Sequence, residues 1–287
     1  MQTSRSRPTP VVKWAGGKRQ MLQLLEERMP QRYGTYYEPF FGGGALFFDV
    51  QPEHAVLNDI NDQLINMYQQ IRTDVNRITV HLLEWQNIYN SFSTDESKSM
   101  FYMRQRRIYN NCLDQNAHTA FSAALLIFLN KSGFNGLYRI NHSGQYNVPS
   151  GHKETLNIIN QGNLRLVADS LQNAELCSMD FEQACQTAKE GDFIFFDSPY
   201  YHTFDTYQAG GFSVKEHERL AGLFRRLTDK NIFCMATNNA CEEIRTLYHG
   251  FSIETIPVRR MINRDASHRT GTEVIIRNYT DDGHIIY

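Results

Sequence analysis

The chain has 287 residues, 41% of them hydrophobic and 21% charged, enough for a substantial core in one large domain or in a domain with an insertion. Its formal net charge of −2 argues against indiscriminate nucleic-acid binding, and no apolar run approaches the roughly 20 residues of a membrane span. The polar, proline-punctuated stretch Met1–Pro10 lacks the apolar segment of a signal peptide, so a cytoplasmic location is expected. The 5 cysteines (Cys112, Cys177, Cys185, Cys234, Cys241) have no Cys-x-x-Cys spacing and the 10 histidines no metal-ligand spacing, so buried free thiols and no metal site are expected.

In chain order, an apolar start at Val11 runs into the turn Ala15-Gly16-Gly17-Lys18. Met21, Leu22, Leu24, Leu25 and Met29 then keep near-helical spacing until Pro30 stops the helix. Thr35–Phe40 reads as a short strand feeding Phe41-Gly42-Gly43-Gly44 and a helix. Strand, glycine-rich turn and helix is the phosphate- or nucleoside-binding arrangement of doubly wound sheets. The glycines do not follow G-x-G-x-x-G and no Gly-Lys-Ser/Thr comes after them, so they form neither a dinucleotide fingerprint nor a P-loop. They let a ligand approach the backbone without requiring phosphate.

Ala55–Asn61 is the next strand and carries Asp59 at its end, where a carboxylate accepts hydrogen bonds from ribose hydroxyls. Asp59 fits equally as the cap of a helix beginning near Leu64. From Asn61 to His118 the pattern is helical and polar, and Ala120–Asn130 is a core helix. The character changes at Lys131. Alternation on both sides of Ser143-Gly144 predicts a β-hairpin within Lys131–Gly151, carrying arginine, asparagine, aromatics and proline with little reason to be buried. Leu176–Phe181 is a strand ending in Asp180, and Asp192–Phe196 is an apolar run of the buried-strand kind. A helix over Val214–Thr228, a buried strand Asn231–Thr237, and strands Phe251–Val258 and Glu273–Tyr279 complete the chain, with a basic loop Arg259–Thr272 between the last two.

The run Asp192–Phe196 delivers Asp197-Ser198-Pro199-Tyr200 to its carboxyl end, where open α/β sheets keep their ligand crevice. An aromatic face stacks on a flat ring, while a carboxylate and a turn carbonyl accept hydrogen bonds from one exocyclic amine. A strand-ending proline with a capping aspartate reads the same way without any ligand. Charge is uneven: Arg5, Arg7, Lys13, Lys18 and Arg19 crowd the start, Arg104, Arg106, Arg107, Lys131 and Arg139 the middle, and Arg259, Arg260, Arg264 and Arg269 the last third. Such clusters suit a converging phosphate-binding face, or plain solvated surface.

Taken together, Lys13-Trp14-Ala15-Gly16-Gly17-Lys18, Glu38-Pro39-Phe40-Phe41-Gly42-Gly43-Gly44, Asn58-Asp59-Ile60-Asn61, Leu129–Arg139, Asn147-Val148-Pro149, Asp180-Phe181 and Asp197-Ser198-Pro199-Tyr200 resemble the Dam-type, alpha-class DNA adenine-N6 methyltransferases. The motifs come in the family's order and span nearly the whole chain. The resemblance implies an α/β fold: a Rossmann-like, S-adenosylmethionine-dependent methyltransferase sheet with an inserted, mainly helical target-recognition domain that bears the hairpin. The implied parts are a methyltransferase domain over residues 1–61 and 166–287, interrupted by recognition residues 62–165.

Residue by residue, the resemblance assigns Trp14 and Lys18 to the methionine end of S-adenosylmethionine, Phe40, Phe41 and Gly42 to the loop beneath it, Asp59 to its ribose, and Asp180 with Phe181 to its adenine. It assigns Lys13, Leu137, Arg139 and Pro149 to base contacts and Phe134 to insertion into the stack. Asn135, beside Phe134, and Arg269, in the last basic cluster, join the DNA-binding set. Asp197, Ser198, Pro199 and Tyr200 are the catalytic turn implied for an adenine flipped out of double-stranded DNA, with GATC the implied target. The family's motif has proline where this chain has Ser198, and the segment Tyr201–Phe212 after it is compact. A monomer is expected, with a companion restriction endonuclease open. Two alternatives stand beside this reading: a DNA-binding relative that modifies poorly or not at all, and methylation of another planar amine, such as RNA adenine or cytosine N4.

Overall fold

A computed structural model of the protein describes residues 7–18, 20–201, 212–259 and 270–287. Of the residues singled out in the sequence, Arg5, Arg19, Arg260, Arg264, Arg269 and nearly all of the segment after Tyr201 lie outside that set.

Helix α1 (Leu22–Arg28) ends at Met29, which turns extended before Pro30, as the residue preceding a proline prefers. Strand β1 (Tyr36–Glu38) is buried throughout, and the glycines lead from it into α2 (Ala45–Val50). Strand β2 (Ala55–Asn58) then gives way to α3 (Asp62–Ser91), whose N-cap is Asn61, accepting from the Leu64 amide at 3.0 Å. Asp59 is therefore not the cap of this helix. The long α3 is broken at Asp74, where the backbone leaves the helical region (φ −149°, ψ 58°). Helices α4 (Asp95–Asp114) and α5 (Ala120–Ser132) follow, capped by Thr94 and by a reciprocal Thr119–Ser122 box. Almost every side of α5 is buried, which is what a helix apolar all round requires.

The chain returns through α6 (Gln161–Ser170), β3 (Ala174–Cys177) and the short α7 (Phe181–Ala184) to β4 (Phe193–Phe196). Helix α8 occupies Val214–Thr228, as its apolar spacing predicts. Strand β5 (Phe233–Asn239), α9 (Glu242–Leu247), β6 (Ser252–Arg259) and β7 (Thr270–Arg277) close the fold. No helix among the described residues is long and apolar enough to cross a membrane.

The seven strands form one sheet in the order β3-β2-β1-β4-β5-β7-β6, the first five parallel and β7 antiparallel to both neighbours. This is the Rossmann-like sheet expected. Its side chains alternate between two cores: Tyr36, Phe193 and Phe195 face one, with α3 and α5, while Tyr37, Ile194 and Phe196 face the other, against α8 and α9. Strand order reverses between β1 and β4, so the crevice of this sheet lies at their carboxyl ends.

Three expectations need correction. The first strands are shorter than their apolar runs, because beyond Glu38 and Asn58 the polar backbone groups bond across loops instead of along ladders. Asn58 donates to the carbonyls of Pro39 and Met179 (both 3.0 Å) and accepts from the Met179 amide (2.9 Å). The segment 131–151 is not a regular hairpin. It pairs only at the bridges Gly133–Ser150 and Ile140–Tyr146, because the Asn141 side chain takes the amides of Ser143 and Gln145 and a 3-10 turn occupies Phe134–Gly136. Nor is it all exposed. Tyr146 and Val148 are fully buried, docked by Tyr102 Oη donating to the Val148 carbonyl (2.9 Å) and by Asn110 bonding the Tyr146 backbone from both sides. The third correction concerns the free cysteines: Cys185 and Cys234 are buried, but Cys112, Cys177 and Cys241 are only partly covered.

Candidate functional site

The carboxyl ends of β1, β2, β3, β4 and β5 bring most of the singled-out residues to one edge of the sheet. The loop after β1 is held closed from below. Both oxygens of Asp59 accept backbone N–H groups, Oδ2 from Gly42 and Oδ1 from Asn61, each at 2.9 Å. Tyr68 Oη donates to the Gly42 carbonyl at 3.0 Å. Burial raises the Asp59 carboxyl to about 6, the two amides opposing the shift. Gly42 has φ +48°, and a Cβ there would lie 2.8 Å from Trp14 Cδ1, so the indole sits directly on the loop backbone. Phe41, by contrast, turns its ring into the core against Phe47, Phe48 and Tyr68.

Next to this loop lies the turn after β4. Lys18 is buried, and its ammonium pairs with Asp197 Oδ1 at 2.6 Å, donates to the Gly16 carbonyl at 2.7 Å, and stands 4.7 Å above the Tyr200 ring. Thr237 Oγ1 donates to the same Asp197 oxygen at 2.6 Å. Tyr200 Oη donates to Glu273 Oε2 at 2.6 Å; burial, then the charges of Asp197 and Glu273, push its phenol far above the ordinary range. Ser198 is buried and Pro199 exposed. At the end of β1, burial raises the Glu38 carboxyl well above the usual range, although Tyr36 Oη donates to it at 2.8 Å.

A second group at this edge is aromatic. Phe40 and Phe181 lie 5.3 Å apart, with Phe212 at 5.7 and 5.9 Å from them. Asp180 caps α7 beside them and pairs with Arg219, whose guanidinium also meets Glu182 (3.0 Å) and Glu216 (2.7 Å) and lies 4.3 Å over the Phe181 ring. Asp180's hydrogen bonds from the Glu182 amide and from Arg219 both fall on Oδ1.

The third group joins the edge through Trp14, which stacks on Tyr138 at 5.0 Å. The buried Asn130 side chain accepts from the Lys13 amide (2.9 Å) and donates to the carbonyls of Lys13 (2.9 Å) and Gly136 (2.8 Å), so Lys13 and the segment Phe134–Arg139 share one anchor. Phe134 is 50% exposed. Asn135 and Pro149 are exposed, and Leu137 and Arg139 half-buried. Arg139 is aimed by Asn147, donating from Nε to Oδ1 (2.6 Å) and from Nη2 to the backbone oxygen (3.3 Å). Not all the basic clusters serve this face. Arg7 pairs with Asp49 at 3.1 Å, and Arg106 donates to the Val148 carbonyl at 3.0 Å.

Sequence reading passed over Thr237, Glu273, Arg219 and Asn130. The Asn238-Asn239 pair ending a buried strand was visible and, at a sheet's carboxyl edge, was the available signal. Glu273 had none, because it lies within the antiparallel strand β7, opposite Asn239, and reaches this edge only through the topology.

A sequence model of the D12 class N6 adenine-specific DNA methyltransferases matches residues 14–262. The type II methyltransferase M1.LlaDCHI of Lactococcus lactis subsp. cremoris is 33% identical, the match covering 97% of this chain and 98% of the relative. M.MjaIII of Methanocaldococcus jannaschii, also a type II methyltransferase, is 32% identical over 94% and 99%. A DNA adenine methylase of Haemophilus influenzae is 27% identical over 93% and 92%.

Proposed function

The chain belongs to the D12 class N6 adenine-specific DNA methyltransferases, and from that premise we propose that it methylates an adenine flipped out of a GATC site in double-stranded DNA, at the turn Asp197–Tyr200. The observation that carries this reading is the buried Lys18 paired with Asp197 at the carboxyl end of β4, next to β1 and the glycine loop that follows it at the switch point.

The residues present fit S-adenosylmethionine. Asp59 offers a buried carboxylate beside the glycine loop, Lys18 a cation for an amino-acid carboxylate, and Phe40, Phe181 and Phe212 an aromatic wall next to Asp180. Bound there, the cofactor supplies the methyl group. The protein's part is positioning. An adenine amine is a weak nucleophile because its lone pair is delocalised into the ring. Asp197 and the Ser198 carbonyl accept hydrogen bonds from its two N–H groups, which localises that lone pair, one of the two protons leaving once nitrogen carries the methyl group, and the Tyr200 ring supports the extruded base. Lys18 and Thr237 both occupy Oδ1 of Asp197, which leaves Oδ2 for the amine. Phe134, exposed and bonded through its backbone to Pro149 and Leu137, is the residue for the space a flipped base vacates, with Lys13, Asn135, Leu137, Arg139 and Pro149 as its partners in contacting the DNA.

Methyl transfer to duplexes containing GATC, and to duplexes changed at one base, tests the proposal; equal transfer to both removes GATC as the target, and no transfer to any DNA removes the activity. Arg139→Ala should lose at least about 1 kcal/mol of discrimination between these duplexes, the low end of a bidentate arginine–guanine contact. Equal weakening of both duplexes in a binding titration would reduce Arg139 to a phosphate contact.

Asp59 makes cofactor binding pH-dependent. In the free protein its raised pKa favours the protonated form, so its contribution to stability is present below the ordinary carboxylate range and is lost as pH rises through about 6. A ribose hydroxyl donating to Asp59 favours the ionised form instead. Cofactor affinity should therefore rise about tenfold from about pH 5 to about pH 7, and Asp59→Asn should flatten the profile. Calorimetric titration across that range decides it: a flat profile in the unmodified protein removes Asp59 from the cofactor site.

A further inference from the structure

The catalytic turn is gripped from outside its own backbone. Between Asp197 and Tyr201 the chain has no regular structure, and at Ser198 it has no ring to fix φ. Strand β5 supplies three holds. Thr237 donates to Asp197 Oδ1 at 2.6 Å, Asn238 Oδ1 accepts the Tyr201 amide at 2.9 Å, and Asn239 Nδ2 donates to the Tyr201 carbonyl at 2.7 Å. Asn238 is the central one. It is 3% exposed, and the oxygen that takes the Tyr201 amide also takes the Asn239 amide at 2.9 Å, which fixes the orientation of its own side chain. A strand of the sheet is the most rigid element available, and Asn238 ties the far end of the turn to it.

We propose that Asn238 is a positioning residue for methyl transfer, setting the aim of the Asp197 carboxylate and the Ser198 carbonyl through the Tyr201 amide, and so supplying from β5 the rigidity that the backbone at 198 lacks. The proposal rests on the adenine-methylation reading of this turn. It predicts a specific coupling. Proline at 198 restricts the same backbone locally, so it should matter more once the Asn238 tie is gone.

The test is the single-turnover rate at saturating duplex and S-adenosylmethionine. Asn238→Leu, near in volume but without the acceptor, should fall by about 10 to 100-fold, as a displaced reacting group does. Its affinity for S-adenosylmethionine should stay within about threefold, since the residue is tied to the turn rather than to the cofactor wall. Asn238→Asp keeps the acceptor and should recover most of the rate. Ser198→Pro should raise the rate of Asn238→Leu by about tenfold more than it raises that of the unmodified chain. Equal gains in both backgrounds, or an unchanged rate in Asn238→Leu, overturn the proposal. Should Asn238→Leu not fold, Asn238→Ala with and without Ser198→Pro gives the same comparison, the turn again losing its Tyr201 amide hold. An unmodified chain without activity on any duplex overturns the reading beneath the proposal, whereas an active chain with additive variants overturns the proposal alone.

Discussion

Replacing Asp197 by asparagine is expected to lower the single-turnover rate of methyl transfer by about a thousandfold while cofactor binding persists, in the range seen when one preorganised charge-stabilising group is removed. The reason is that the amine must lose electron demand from the ring before it can attack, and a charged acceptor shifts that balance far more than a neutral amide. Asparagine is the cleaner substitution. It keeps an oxygen for Thr237, whereas alanine strands the Lys18 ammonium, which is 6% exposed and pairs with Asp197 at 2.6 Å. Removing one member of a buried pair costs about 3–5 kcal/mol, so Asp197→Ala should lose stability as well as rate, and the two effects would be confused. Rapid-quench measurement with radiolabelled cofactor separates them. A near-normal rate in Asp197→Asn would move the chemistry away from this carboxylate.

Gly44→Ala should destabilise the protein by about 2–4 kcal/mol, combining the left-handed backbone penalty with overpacking. Gly44 has φ +67°, and a Cβ there would stand 2.5 Å from two atoms of the Phe41 ring and 2.9 Å from Phe48, both buried and wedged among other aromatics. Neither ring has room to retreat. Gly43, one residue earlier, is the internal control: its nearest atom would be Trp14 Cβ at 3.5 Å, and its φ lies outside the left-handed range. Gly43→Ala should stay within about 1 kcal/mol. Urea unfolding of the two variants decides the point, and equal midpoints would mean that the loop relaxes freely.

The sheet was legible in the sequence because its strands are short apolar runs punctuated by proline, glycine and acidic residues. Asp192–Phe196 and Val214–Thr228 read directly as strand and helix. The fold failed to show where side chains, not spacing, decide the backbone. Asn58 and Asn141 draw amides and carbonyls out of ladders, shortening strands and dissolving a hairpin. The break at Asp74 falls in a stretch of uniform helical character. At the site, the order of motifs identified the chemistry, yet the partnerships within it were invisible. Lys18 and Asp197 are 179 residues apart in sequence, and nothing in either motif says that they form an ion pair. Asp59 reads as a ligand for ribose, and the sequence does not show that its carboxylate also takes the amides of Asn61, two residues on, and of Gly42, 17 residues back.

The buried cluster on the α3 face of the sheet runs without interruption from Tyr36 and Phe47 through Tyr68 and Ile71 to Trp85, Phe128 and Tyr146. One hydrophobic body therefore underlies both the strands that present the turn Asp197–Tyr200 and the helices that carry the segment around Arg139. Grafting helices α3 to α5 of one such protein onto another would cut through packed aromatics, not through a linker. Under the proposed function, a change of target sequence is more readily reached by altering the exposed Phe134, Asn135 and Pro149 and the half-buried Arg139 than by exchanging a module, and heat should melt both parts together.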